Sequence, residues 1–234
     1  MLPLKELNPL SKKPVVITDA LIGINTGVFF LQWLTWYGSN GRDNLAARLG
    51  VVPHCYVSPS YCGIAVPGHS DLLWKPLIAA MFLHGDILHL LFNMLFLAVF
   101  GASIERRLGP FRYLAFYLGC GLVASIAQIV SNPLSDVPMI GASGAIAGVL
   151  GAFFILQPKS WILSYIPPIF ILPVPALLFL ALWIGAQVLS VLTHIPGLTV
   201  NHQSDNIAWM AHVGGFCTGA VVGWRIAPWW KDKG

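Results

Sequence analysis

Charge is scarce in this chain. Asp, Glu, Lys and Arg make up 9% of its 234 residues, against roughly 25% in an ordinary soluble domain. Hydrophobic residues make up 56%, and the mean hydropathy is +0.74. That deficit excludes a water-soluble globular protein and points to an integral, multi-pass membrane protein. Low-complexity tracts and internal repeats are also lacking, which argues against disordered and solenoid architectures. The cysteines are few and no Cys-x2-Cys knuckle occurs, so no common zinc pattern is present. At about 20 apolar residues per helical crossing, the chain has room for six or seven spans and little else. A single domain over 1–234 is expected.

Long apolar stretches predict six helices, at 15–37, 77–100, 111–130, 139–156, 175–192 and 207–227. The expected fold class is therefore an all-α membrane protein, a six-transmembrane-helix bundle. The stretch 165–175 holds Pro167, Pro168, Pro173 and Pro175 and is too proline-broken for a regular helix; it reads as a lead-in to the fifth span. Charge placement gives an independent check. With a cytoplasmic N-terminus, the inner segments hold Lys5, Lys12, Lys13, Arg106, Arg107, Arg112, Lys159, Arg225, Lys231 and Lys233, and the outer loops only Arg42, Arg48 and Lys75. This asymmetry predicts an even number of spans with both termini cytoplasmic. It also accounts for the formal net charge of +4, so nucleic acid need not be invoked. The first apolar stretch follows a basic N-terminus but is longer than a cleavable signal and lacks a small-x-small exit, so it is expected to remain as an anchor.

Against this apolar background, a few polar residues need a reason. Gly141-Ala142-Ser143-Gly144 heads the fourth expected span, and Ala211-His212-Val213-Gly214-Gly215 heads the sixth. Taken alone, the first motif fits close helix packing, because small residues at spacing four let helices approach and a buried serine can bond back to its own helix. Gly215, Gly219 and Gly223 permit the same on the sixth span. Geometry joins the two motifs. On the assigned topology, Ser143 and His212 both lie about one to one and a half turns below the outer surface. Small-residue faces, Ser143 with Ala147 and Gly151 and His212 with Gly215 and Gly219, would let the helices touch at that depth. A histidine inside a span needs a partner, and a serine beside it would be a nucleophile with its general base. No carboxylate is obviously placed as a third member; Asp136 and Asp205 are weak candidates in outer loops, and a dyad is expected.

The second span adds His84-Gly85-Asp86-Ile87-Leu88-His89-Leu90-Leu91-Phe92-Asn93. His89 and Asn93 are four residues apart and share a helix face. Both can donate hydrogen bonds, so they could serve a developing oxyanion together with the Ser143 backbone N–H; polar bonding between helices is the alternative. His84 is expected in a supporting role, ordering the outer loop or the oxyanion donors by hydrogen bonding. Asp86 is expected to face water or to cap the helix.

The chain resembles the rhomboid intramembrane serine proteases. The likeness rests on Gly-x-Ser-Gly at Gly141 to Gly144, His-x4-His-x3-Asn at His84, His89 and Asn93, Ala-His-x-Gly-Gly-x3-Gly from Ala211 to Gly219, and a Glu-x-Arg segment at Glu105-Arg106-Arg107. The resemblance implies a Ser143–His212 dyad, with His89, Asn93 and the Ser143 backbone as oxyanion donors. It assigns supporting places to His84, Gly141 and Gly144 and helix-packing places to Gly148, Gly215 and Gly219. No cofactor and no metal are implied. The implied partners are transmembrane protein substrates and the lipid bilayer. Substrates would enter beside the fifth helix and the loop 194–206 and be cut near the outer membrane face, after a small residue. Where the family often has Trp-Arg in its first outer loop, this chain has Trp74-Lys75-Pro76. No added cytoplasmic domain is expected, which resembles the minimal six-span bacterial form and implies a bacterial inner membrane.

Cys120 and Cys217 fall within expected spans and read as packing residues. Cys55 and Cys62 share the long outer loop, where a disulfide closing a short loop would stabilise by about 2–3 kcal/mol; two free thiols are the alternative. His54, Cys55, Cys62 and His69 have ligand-like chemistry without a zinc spacing. Competing functions are an inactive escort of membrane proteins, which would not need both Ser143 and His212, and a channel, which would spread polar residues along a path.

Overall fold

A computed structural model describes residues 1–9, 14–39, 44–58, 60, 73–193 and 208–227. In chain order the elements used below are strand β1 (Leu2–Glu6), helix α1 (Ile17–Gly38), the short helices α2 (Leu45–Leu49), α3 (Pro53–Val57) and α4 (Trp74–Ala79), helix α5 (Ile87–Leu108), helix α6 (Pro110–Ser131), helix α7 (Ser143–Leu156), strands β2 (Trp161–Ile166) and β3 (Phe170–Pro175), and helices α8 (Ala176–Thr193) and α9 (Trp209–Ile226). Among the described residues, four helices, α1, α5, α6 and α8, are long and apolar enough to cross a membrane. Their outward faces carry exposed Phe30, Leu31, Trp33, Leu91, Ile126, Leu182 and Leu189. A soluble monomer rarely exposes such contiguous apolar area; lipid contact explains it, and the protein is an integral membrane protein.

Helix α7 is different. It has 14 residues, about 21 Å of rise, and almost every residue from Gly144 to Phe153 is buried. A helix apolar on all sides belongs at the centre of a bundle, and α5, α6, α8 and α9 all pack against it. The tightest partner is α9. A Cβ on Gly215 would overlap the Gly144 carbonyl oxygen, one on Gly219 the Gly148 carbonyl, and one on Gly151 the Phe216 carbonyl. The expected contact between the fourth and sixth helices is therefore present, backbone against backbone, at Gly148, Gly215 and Gly219.

Two helix starts differ from the sequence expectation. The second span does not run over 77–100: α4 and a 3-10 turn at Ala80–Phe82 end at an extended Leu83, and α5 begins only at Ile87. The Asp86 carboxylate caps it by accepting from the His89 N–H at 2.8 Å, as a helix start requires. The same helix continues beyond 100 through a π turn at Leu97–Gly101 to Leu108. The fourth helix starts at Ser143 and not at 139 because Gly141 has φ +122°, outside the helical region.

The basic end of the bundle is tied by Glu105 and Arg107. The buried Glu105 carboxylate accepts from the backbone N–H groups of Val16, Ile17 and Thr18 and from Thr18 Oγ at 2.7–2.9 Å. It thereby satisfies orphan donors at the N-terminus of α1, where negative charge is favoured. Arg107 donates to the Leu156 carbonyl at the end of α7, 2.9 Å away. Gly109, at φ 79°, then reverses the chain into Pro110.

The all-α expectation needs correction at this end. β1, β2 and β3 form an antiparallel sheet in that order, and the proline-rich lead-in is the second strand of a regular hairpin. Proline is tolerated in edge strands, and β3 is an edge. Glu6 fixes the sheet to the bundle, accepting from Ser103 Oγ at 2.7 Å and Ser160 Oγ at 2.8 Å, while Gln157 donates to Ser103.

Candidate active site

The first turns of α7 and α9 lie side by side at the opposite end from the sheet. Because the glycine faces bring the two backbones together, Ser143 Oγ lies 2.8 Å from His212 Nε2. The other ring nitrogen, His212 Nδ1, lies 2.7 Å from Gln187 Oε1 on α8. An amide oxygen can only accept, so Nδ1 carries the proton and Nε2 is free to accept from the serine hydroxyl. Gln187 is buried at 8% exposure, and its amide nitrogen faces the Trp183 carbonyl, which sets the oxygen toward the histidine. Trp183 and Trp209 flank the imidazole at ring separations of 5.9 and 6.2 Å.

This third residue was missed in the sequence. The signal was there: Gln187 is a lone amide in an otherwise apolar span, and intramembrane polar groups usually have a partner. Asp136 does not take its place. Asp136 is paired with His54 at 2.9 Å, and Asp205 lies outside the described residues.

His89 and Asn93 line the same cavity as Ser143 and His212, which measures about 780 Å³ and reaches between α5 and α8 past Phe92, Phe96 and Trp183. His89 Nδ1 accepts from the Gly85 N–H at 3.5 Å, which leaves the proton on Nε2. Gly141 separates that nitrogen from the serine: the position of a Cβ there lies 2.8 Å from His89 Nε2 and 3.7 Å from Ser143 Oγ. Its missing side chain and its positive φ thus both keep open the space between the His89 ring and the Ser143 hydroxyl. The Asn93 amide nitrogen is buried and has no hydrogen-bond partner among the described residues. A native buried donor of that kind calls for an explanation.

The hydrogen-bonding role expected of the His84 ring is not seen among the described residues. Its nitrogens have no partner there, and the ring meets His89 edge-on at 5.1 Å. The His84 main chain is held instead by Gln32, which donates to its carbonyl and accepts from its N–H. Gly144 acts in packing, since a Cβ there would come within 2.7 Å of Ala124. Cys55 is disulfide-bonded; Cys62 and His69, like the loop 194–206, lie outside the described residues. Cys120 and Cys217 are free.

A rhomboid-domain family profile matches residues 71–229, a span that contains His89, Asn93, Ser143, Gln187 and His212. The chain belongs to the rhomboid family. It is 33% identical over 225 residues to the mitochondrial Rhomboid protein 1 of Saccharomyces cerevisiae, covering 92% of this chain and 54% of the relative. It is 28% identical over 176 residues to YdcA of Bacillus subtilis, covering 68% and 78%. The rhomboid protease GluP of Bacillus subtilis is 46% identical over 79 residues, 34% of this chain and 15% of GluP. The chain thus spans about half the length of the yeast rhomboid and a small part of GluP. YdcA and GluP both carry the name rhomboid protease. Bacterial and mitochondrial proteins stand side by side among its relatives.

Proposed function

We propose that this rhomboid hydrolyses a peptide bond in transmembrane segments of other membrane proteins through a Ser143–His212 dyad oriented by Gln187. The observation that carries the reading is the 2.8 Å contact from Ser143 Oγ to His212 Nε2, with Nδ1 held by Gln187 at 2.7 Å. His212 takes the hydroxyl proton as Oγ attacks the scissile carbonyl carbon, and the carbonyl π electrons move onto oxygen. His89 Nε2–H, Asn93 Nδ2–H and the Ser143 N–H at the head of α7 receive that oxyanion, where the helix dipole also favours negative charge. Collapse of the tetrahedral species breaks the C–N bond as His212 returns the proton to the leaving amine. Water, deprotonated by His212, then attacks the acyl carbon, and the ester C–O bond breaks as His212 returns the proton to Ser143 Oγ. Gln187 is neutral, so its contribution is orientation and a dipole, without a counter-charge.

The cavity between α5 and α8 is suited to an unwound substrate segment arriving from the lipid side. Six spans complete the topology when α7 and α9 are added to the four long helices. With the basic end inside, both termini are cytoplasmic and the site lies near the outer face; the membrane is read as a bacterial inner membrane. The test is proteolysis of a reporter transmembrane substrate by the purified protein in liposomes. Ser143→Ala is expected to abolish cleavage while leaving the thermal transition in place, and retained cleavage would sink the assignment.

A further inference from the structure

The β2–β3 hairpin exposes an unusual surface for a segment outside the helices. Ile169, Phe170, Ile171 and Leu172 are 48–77% exposed, and no Asp, Glu, Lys or Arg occurs anywhere from 160 to 204. A hairpin of this composition standing in water would be an aggregation hazard. We infer that the hairpin lies in the headgroup and upper acyl region of the bilayer at the basic end of the bundle, with its turn from Ile166 to Phe170 below the lipid surface.

Three observations select lipid as the occupant. First, β3 passes into α8 without an intervening residue, Pro175 being followed directly by Ala176. The exposed Ile171 and Leu172 are therefore continuous with the exposed Leu177 and Leu178 of a membrane-length helix. Secondly, the free edge of β3 is poor in donors. Pro173 and Pro175 pair with Leu163 and Trp161 and have no N–H, so their ring nitrogens belong on the open side of the strand. Residues 171, 173 and 175 share that side, which leaves Ile171 as its only N–H. Such an edge is a weak template for a strand from a second copy and costs little where water is sparse. Thirdly, exposed Lys5 and Lys159 sit at the base of the sheet, away from the turn, where an anionic headgroup would meet them. The sheet's remaining polar backbone edges limit the depth to the interfacial layer, about 5–10 Å.

The test is depth measurement on the full chain, reconstituted at one copy per nanodisc containing anionic phospholipid. In a Cys217→Ala background, where Cys120 is buried, Ile169→Cys or, should that variant not fold, Phe170→Cys is labelled with an environment-sensitive nitrobenzoxadiazole probe. Lys159→Cys serves as the reference. The tip probe is expected to emit to the blue of the reference and to lose most of its fluorescence to lipids carrying a nitroxide near the headgroup, with little loss to aqueous iodide. Water-like emission with iodide quenching would overturn the inference. Protection from both quenchers would overturn it as well, since that outcome means protein covers the tip.

Discussion

Gln187→Leu isolates the part of the site that is least obvious. The substitution keeps the volume of a side chain at 8% exposure but removes the acceptor 2.7 Å from His212 Nδ1. The imidazole is then free to rotate or to move its proton to Nε2, and in that tautomer it cannot accept from Ser143. A buried donor left without its partner costs about 1–3 kcal/mol. The imidazolium formed during attack loses the dipole that stabilised it, so the deficit falls on the transition state. Turnover should drop by roughly 10- to 100-fold, mainly in kcat, with KM for a reporter transmembrane substrate little changed. Gln187→Glu retains an acceptor oxygen and should recover most of the loss. Steady-state cleavage in liposomes reads both parameters, and thermal unfolding in detergent shows that the bundle is intact. If Gln187→Leu cleaves at the wild-type rate, the orientation argument is wrong, whatever the distance.

Other substitutions test the neighbouring groups. Gly141→Ala places a methyl 2.8 Å from the His89 ring at a backbone φ of +122°; cleavage should fall below detection while the protein still purifies as a monodisperse species, which size-exclusion chromatography checks. Asn93→Ala removes one proposed oxyanion donor and should lower kcat by about 100- to 1,000-fold; a loss confined to KM would contradict the role. Glu105→Ala strips four hydrogen bonds from the start of α1 and should destabilise the bundle by about 2–4 kcal/mol, read as a lowered unfolding midpoint with the active-site distances unchanged.

Much of the site was legible because a polar residue inside an apolar span is costly and so stands out. Ser143, His212, His89 and Asn93 could be picked out in this way, and the glycine spacing anticipated the contact of α7 with α9. Gln187 escaped because a histidine partner was sought among carboxylates, whereas a neutral amide serves in a site where a buried charge would be expensive. The sheet escaped for another reason. Residues 2–6 and 161–175 have no clean period-two alternation, and the prolines that argued against a helix were compatible with an edge strand. The start of α5 was misplaced because hydropathy runs on unbroken through Leu77 to Leu83, while the boundary is set by Gly85 and the Asp86 cap. Charge counting could place the basic end but not the use of Glu105 and Arg107 to join three helices there.

The central claim is that Ser143 is a nucleophile activated by His212. Its most direct measurement is the intact mass of the protein after reaction with a fluorophosphonate in liposomes, followed by peptide mapping. A single phosphonyl adduct on Ser143 that forms in the wild type and vanishes in His212→Ala is the predicted result. An adduct elsewhere, or labelling of Ser143 at an undiminished rate without His212, would contradict it.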